Sequence, residues 1–247
     1  MWGSPETEPW LRNPQRRRIG EIWFPASDSV PILVKLLFTS DNLSVQVHPQ
    51  DEYAQQYHGS RGKTEIWHIL RSEPGAQVAI GLREKATPER LRAAALSGEI
   101  MDLLKWIPAR AGDTFFVPAG AVHAIGSGLA LCEVQQHSDV TYRLYDYGRG
   151  RELHLDRALE VSIPEPFEAR RNLPFECPYF RAEKFTVSGS HTIHAPARNT
   201  LLIALEGTGS VGGEPFGAGE AWELPAGMGP VEIVSPGGVF LATSEPR

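Results

Sequence analysis

Short apolar runs alternate with polar turns along most of the chain, and glycine or proline stands at many of the breaks. Such runs read as strands, because alternation puts successive side chains on opposite faces of a pleated sheet. Strands are predicted at PILVKLLF (31–38), LSVQVH (43–48), EIWHIL (65–70), AQVAIGL (76–82), DTFFVP (113–118) and ALCEVQQ (130–136). One helical patch interrupts them. TPERLRAAALSGEIMDLLKWIP (87–108) opens with Thr87 as N-cap and Pro88 at the first helical position, and Gly98 offers a C-cap before a second short turn of helix. A further helix is predicted within ELHLDRALEVSI (152–163).

IPEPFEARRNLPFECPYF (163–180) carries four prolines and no clear period, so it reads as a connection between two halves. Short strands resume after it, in FRAEKFTV, LLIALEG, AWELPAG, VEIVS and GVFLATS. DTFFVPAGAVHAIG (113–126) and EAWELPAGMGPVEI (220–233) align as acidic residue, apolar strand and Pro-Ala-Gly turn, a weak internal repeat. Where the first copy has His123, the aligned position of the second falls on Pro230 or its neighbours. The expected fold is all-β with a small helical insertion, in two stacked jelly-roll β-barrel units. Residues 1–165 would form the first unit, with the insertion at about 87–106, and 166–247 the second. Chemistry is expected in the first alone.

Composition narrows the class. A chain of 247 residues fits one large domain or two small ones. Lys and Arg number 24 against 30 Asp and Glu, a formal net charge of −6, which argues against nucleic-acid or membrane-surface binding while leaving room for a local basic pocket. Cys132 and Cys177 are the only cysteines, which is no disulfide scaffold and is compatible with a reducing compartment. No apolar stretch approaches the ~18 residues of a membrane span, and no signal-peptide core follows the start. A soluble cytoplasmic protein is the expectation.

The candidate chemistry lies in LSVQVHPQDEYAQQYHGSRGKTEIWHIL (43–70) and in the PAGAVHA turn. Gln46 and His48, two apart on a strand, project from one face, opposite to Val45 and Val47. Glu65 leads the next apolar strand, and His123 follows a turn held by Pro118 and Gly120. Two imidazoles, a carboxylate and a carboxamide suit a divalent transition metal, and imidazole suits zinc. Taken singly, each residue is more often structural, and it is the four together that point to a metal.

LSVQVHPQDEYA, GKTEIWHIL, VPAGAVHAIGSG and EVQQHSDVTYRLYDYGR, taken together and in this order, resemble the successive motifs of type I mannose-6-phosphate isomerases, zinc-dependent proteins of the cupin fold. The resemblance covers roughly residues 17–160, with RIGEIWF similar to an N-terminal family element, and the second half fits only loosely. It implies one zinc ion per chain bound by Gln46, His48, Glu65 and His123, an active-site arginine at Arg143, a substrate-lining lysine at Lys63 and an acidic residue near the metal at Glu133. It implies interconversion of mannose 6-phosphate and fructose 6-phosphate through proton transfer between C1 and C2, with a small sugar phosphate as partner. His68, Glu133 and Lys63 are all candidates for the base, and the sequence does not rank them. Arg143 could instead pair with Asp139 or Asp146, and RNPQRRR (12–18) reads as a solvated face.

The chain departs from the family in having little room for the additional helical domain of longer members, and in a short link between GEIWF (20–24) and VPILVK (30–35). His68 stands where an aromatic such as tyrosine is common, and His137 where a small polar residue is common. Two rival readings are a non-catalytic cupin that binds sugars or their phosphates and an iron-dependent cupin oxygenase. The metal set together with Arg143 favours an enzyme over the first, and Gln46 with SDVTYR fits the second poorly.

Overall fold

The computed structural model describes residues 2–27, 30–194 and 196–246. Strands β1 (Glu21–Phe24), β2 (Ile32–Phe38) and β3 (Val45–Val47) come first, then helix α1 (Asp51–His58) and strands β4 (Glu65–Ser72) and β5 (Gln77–Leu82). Helices α2 (Pro88–Ser97) and α3 (Ile100–Leu103) lead into β6 (Leu104–Pro108), β7 (Thr114–Val117), β8 (His123–Ile125), β9 (Leu129–Gln136) and β10 (Tyr142–Tyr145). After helix α4 (Leu155–Val161) come β11 (Arg170–Arg171), β12 (Phe175–Glu176), β13 (Arg181–Ile193) and β14 (Thr200–Glu206). The last strands are β15 (Gly209–Val211), β16 (Glu214–Phe216), β17 (Ala221–Leu224) and β18 (Val231–Ser244).

These strands form three sheets. The first is ordered β1-β2-β9-β4-β7-β11 and the second β10-β3-β8-β5-β6. The third is ordered β12-β13-β18-β14-β17, with β15 and β16 attached. Alternation along the strands decides what each face touches. Leu37, Trp67, Ile69, Phe115 and Leu131 of the first sheet pack with Val78, Ile80 and Ile125 of the second, so these two sheets face each other across one core. The opposite face of the first sheet, with Val34, Leu36, Ile66, Cys132 and Val134, packs on Ala182, Leu201, Ile203 and Leu241 of the third. The outer face of the second sheet, with Val45, Val47, Ala79 and Ala124, is covered by Leu91, Ala94, Ile100 and Ala158 of the helices.

The predicted strands of the first half are present. Thr87 caps α2 as expected, its hydroxyl accepting from Arg90 N–H at 3.2 Å, and Gly98 closes it in the left-handed region at φ 89°. The helical patch ends sooner than predicted. Residues 104–108 are a strand, with Val78 opposite Ile107 and Ala79 opposite Trp106, because β5 offers an open edge that these residues pair. The prolines of 163–180 do not leave a bare connection either, since β11 pairs with β7 of the first sheet and β12 with β13 of the third. VEIVS and GVFLATS join into the single strand β18. The repeated turn is real locally: Ala121 N–H donates to Pro118 O at 3.0 Å and Met228 N–H to Pro225 O at 3.2 Å. Among the described residues no helix is long and apolar enough to cross a membrane.

Candidate metal centre

Rows of directly opposed residues carry the candidate side chains into the space between the first two sheets. On the second sheet, Arg143, Gln46, His123 and Ile80 stand side by side across β10, β3, β8 and β5. On the first, Trp23, Lys35, Glu133 and Trp67 form the matching row, with Glu65 opposite Gln135 beside it. Opposed residues of a sheet share a face, so both rows look inward. Gly120 N–H donates to the His48 carbonyl at 2.8 Å, which ties the turn before His123 to the end of β3.

His48, Glu65 and His123 offer ligand atoms that all lie within 4.8 Å of one another. Glu65 Oε2 is 3.8 Å from His48 Nε2, Glu65 Oε1 is 3.7 Å from His123 Nε2, and the two imidazoles lie 4.7 Å apart. All three residues are 1 % exposed or less. His48 Nδ1 bonds the Val140 carbonyl at 3.0 Å and His123 Nδ1 the Ala121 carbonyl at 2.8 Å. A carbonyl accepts only, so each Nδ1 carries the proton and each Nε2 turns its lone pair to the pocket. Burial, helped by the Lys63 charge, holds the His48 pKa well below its ordinary value. Burial pushes that of His123 down to about 4. Neither oxygen of Glu65 accepts a hydrogen bond among the described residues, although the Lys63 ammonium stands 3.0 Å from Oε2. A buried carboxylate with an oxygen left over, facing two neutral imidazoles, suits a divalent cation. Gln46 is adjacent, its Nε2 placed 3.3 Å from His123 Nε2 and its Oε1 3.4 Å from the Ser44 hydroxyl.

Lys63 sits at the junction of the remaining groups. Its Nζ is 3.2 Å from His48 Nε2 and 3.7 Å from Glu133 Oε1. Burial disfavours the ammonium, but Glu65 and Glu133 outweigh it and hold its pKa above the ordinary value. Burial raises the Glu133 pKa, with the Glu65 charge adding to it, while Trp67 Nε1–H donates to Glu133 Oε2 at 3.1 Å. Lys35, which sequence reading passed over, lies 3.9 Å from Glu133 Oε1 and 3.7 Å from Glu21 Oε2. Its signal was a lone lysine in the fully buried strand ILVKLLF.

Arg143 flanks Gln46 on the neighbouring strand, donates from Nη1 to the Glu152 carbonyl at 2.8 Å, and has a buried Nε with no hydrogen-bond acceptor among the described residues. It makes no ion pair with Asp139 or Asp146 among those residues. Asp146 is instead taken by Arg149, at 2.7 Å, and by Arg151. His68 is not brought to this pocket. It points to the outer face of the first sheet, where Nδ1 meets the Thr114 hydroxyl at 2.9 Å and Nε2 faces Lys184 Nζ at 3.4 Å.

Fold and pocket define a protein of facing β-sheets with a buried imidazole–carboxylate centre between them. The chain belongs to the mannose-6-phosphate isomerase family. It is similar to the mannose-6-phosphate isomerase ManA of Bacillus subtilis (strain 168), at 39% identity over 229 residues, covering 83% of this chain and 72% of that one. The mannose-6-phosphate isomerase of Streptococcus mutans is 37% identical over 202 residues, covering 75% of this chain and 64% of that protein. The crystal structure of the mannose 6-phosphate isomerase from Bacillus subtilis superimposes with a TM-score of 0.78 at 28% identity, covering 88% of this chain and 76% of that one. A scan against protein-family models found no match.

Proposed function

We propose that this chain is a zinc-dependent aldose–ketose isomerase interconverting mannose 6-phosphate and fructose 6-phosphate. The observation that carries the reading is Glu65, a fully buried carboxylate facing two imidazole Nε2 atoms at 3.7 and 3.8 Å beside a buried lysine. His48, Glu65 and His123 would hold one zinc ion per chain, and Gln46 would join them by turning its amide so that Oε1 replaces Nε2 at His123. The bound ion would order and polarise the sugar oxygens.

The chain's own groups divide the remaining work. A base takes the proton from C2 of the aldose and returns it to C1, while the hydroxyl proton passes from O2 to O1 and the double bond moves from C1–O1 to C2–O2. His68 lies on the wrong face of the sheet for this, which leaves Glu133 and Lys63. Lys63, paired with two carboxylates, stays charged and suits stabilising a developing oxyanion. Glu133 is therefore assigned the proton transfer, and Arg143 the negative charge of enediolate or phosphate. The architecture is read as two cupin units, residues 1–165 built on the first two sheets and 166–247 on the third apart from β11, which joins the edge of the first, with the centre in the first unit alone. Free Cys132 and Cys177 suit a cytoplasmic setting.

The test is isomerisation of mannose 6-phosphate by the purified protein, followed through a coupled assay for fructose 6-phosphate as purified, after chelation and after zinc return. Activity that disappears with chelator and returns with zinc is expected. A folded, zinc-loaded sample without turnover would overturn the reading.

A further inference from the structure

Strand β4 presents two chemistries on its two faces. Glu65 and Trp67 look into the centre described above, and His68, between them and the third sheet, looks into a separate cleft. That cleft is a cavity of about 460 Å³ bounded by β4, β7, β11 and β13, its lining including His68, Asp113, Thr114, Arg170, Arg171 and Lys184. His68 forms its floor and is 3 % exposed. Of the three cationic side chains, Arg170 alone forms an ion pair among the described residues, with Asp113 at 2.6 Å. Arg171 donates from Nη1 to the Arg170 carbonyl at 2.8 Å and lies over the Phe116 ring, and forms no ion pair among the described residues. Lys184 likewise forms none among them; its Nζ faces His68 Nε2, a neutral acceptor, at 3.4 Å.

Arg171, with Glu168 near enough to feel its charge, and the exposed Lys184 thus flank a buried imidazole without an ion pair among the described residues, in a cleft whose lining carboxylate, Asp113, is taken by Arg170. Like charges gathered in a recess repel each other unless an anion sits between them. The geometry points to a binding site for a phosphate-type dianion, free or as a small monoester, held by Arg171 and Lys184 with the His68 imidazole beneath it. Arginine supplies a planar fork for two anion oxygens and lysine a point charge, the usual pair for phosphate recognition. Bound there, the anion would link the first sheet, through β4 and β11, to the third, through β13.

The centre between the first two sheets would also meet a sugar phosphate, so the readout must belong to the cleft. Histidine-labelled protein in a buffer free of phosphate is titrated with inorganic phosphate and, separately, with glycerol 3-phosphate, following the imidazole NMR signals of His68. Their assignment comes from loss of the signals in His68→Phe. A saturable shift of His68 is expected, with a rise in the pH at which it protonates, since an anion favours the imidazolium. Tighter response to glycerol 3-phosphate would identify a monoester as the occupant, and tighter response to inorganic phosphate the free ion. In Lys184→Met the affinity should fall at least about tenfold, the loss of one charge-assisted contact, with isomerase activity unchanged. Immobile His68 signals with both anions, or a shift that persists at full affinity in Lys184→Met, would overturn the proposal.

Discussion

Asp51 is a residue whose importance lies in what it holds. Its Oδ1 accepts from Gly62 N–H at 2.7 Å and from Gln136 Nε2 at 2.8 Å, and Gln136 Oε1 in turn accepts from Thr64 N–H at 2.9 Å. The knot therefore clamps the backbone on both sides of Lys63, and a Cβ at Gly62 would meet Asp51 N at 2.7 Å, so nothing larger than glycine fits there. Displacements of about 1 Å in such supports cost up to about a hundredfold in rate. Asp51→Ala is expected to lower kcat about ten- to a hundredfold with zinc content unchanged, measured by steady-state kinetics beside metal analysis; an unchanged kcat would remove Asp51 from the positioning of Lys63. His68 allows a second prediction at this scale. Burial, and then the Lys184 charge, push its pKa down to about 4 against 6.5 for a free histidine. The unfolded chain thus takes up a proton that the folded chain refuses, and this contribution to stability, present above pH 6.5, is lost as pH falls toward 4. Urea denaturation in a phosphate-free buffer should show the wild type losing about 1.5 kcal/mol more than His68→Gln between about pH 6.5 and 5. Equal losses would contradict the burial of a neutral imidazole.

Between residues and sheets, the turns decide whether the ligands meet. Gly120, at φ 89°, stands just before His123 and donates its N–H to the carbonyl of His48. A Cβ there would lie 2.8 Å from Ile163 Cγ1 and 2.9 Å from the Val161 carbonyl oxygen. Gly120→Ala should cost about 1–2 kcal/mol for the left-handed backbone alone and weaken zinc retention, because both histidine-bearing segments shift. Urea midpoints and a zinc competition titration measure the two effects, and retention of both values would contradict the role given to the turn. This turn was legible in the sequence because Pro-Ala-Gly between apolar runs has one ready conformation. The strands that carry Gln46, Glu65 and Glu133 were legible as short apolar runs bounded by turn residues, with strict alternation in Val45-Gln46-Val47. Helix α1 was not, since DEYAQQYH buries only Ala54 and shows no apolar stripe, its end being set by Gly59 at φ 60°. Strand β6 was missed because LKWIP continues a helical period, and only the open edge of β5, which no local pattern reveals, makes it a strand. Lys35 was overlooked as one charge in an apolar run, and the two carboxylates that explain it come from β1 and β9.

At the scale of the molecule, an ion held in the candidate centre would tie two sheets together. Gln46 and His123 lie on β3 and β8 of the second sheet, His48 directly follows β3, and Glu65 opens β4 of the first. The unfolded chain holds these residues up to 77 positions apart, as Gln46 and His123 are, so zinc would bind the folded form far more tightly than the unfolded one. Free zinc at about a hundred times its dissociation constant would then stabilise the fold by about 2.7 kcal/mol. For a chain of this size that corresponds to a rise in Tm of about 5–10 °C. The third sheet supplies none of these residues, yet it shares a core with the outer face of the first sheet through Ile66, Val134, Leu201 and Leu241. Its melting should therefore follow that of the first two sheets, and calorimetry should show the whole transition move on chelation and return with zinc. In Glu65→Gln the carboxylate charge between the two imidazoles is gone while the shape is kept, so zinc should no longer move the transition. A zinc-dependent rise in Tm that survives Glu65→Gln would place the ion elsewhere in the chain, and a wild type insensitive to chelation would mean that the two sheets are held by packing alone.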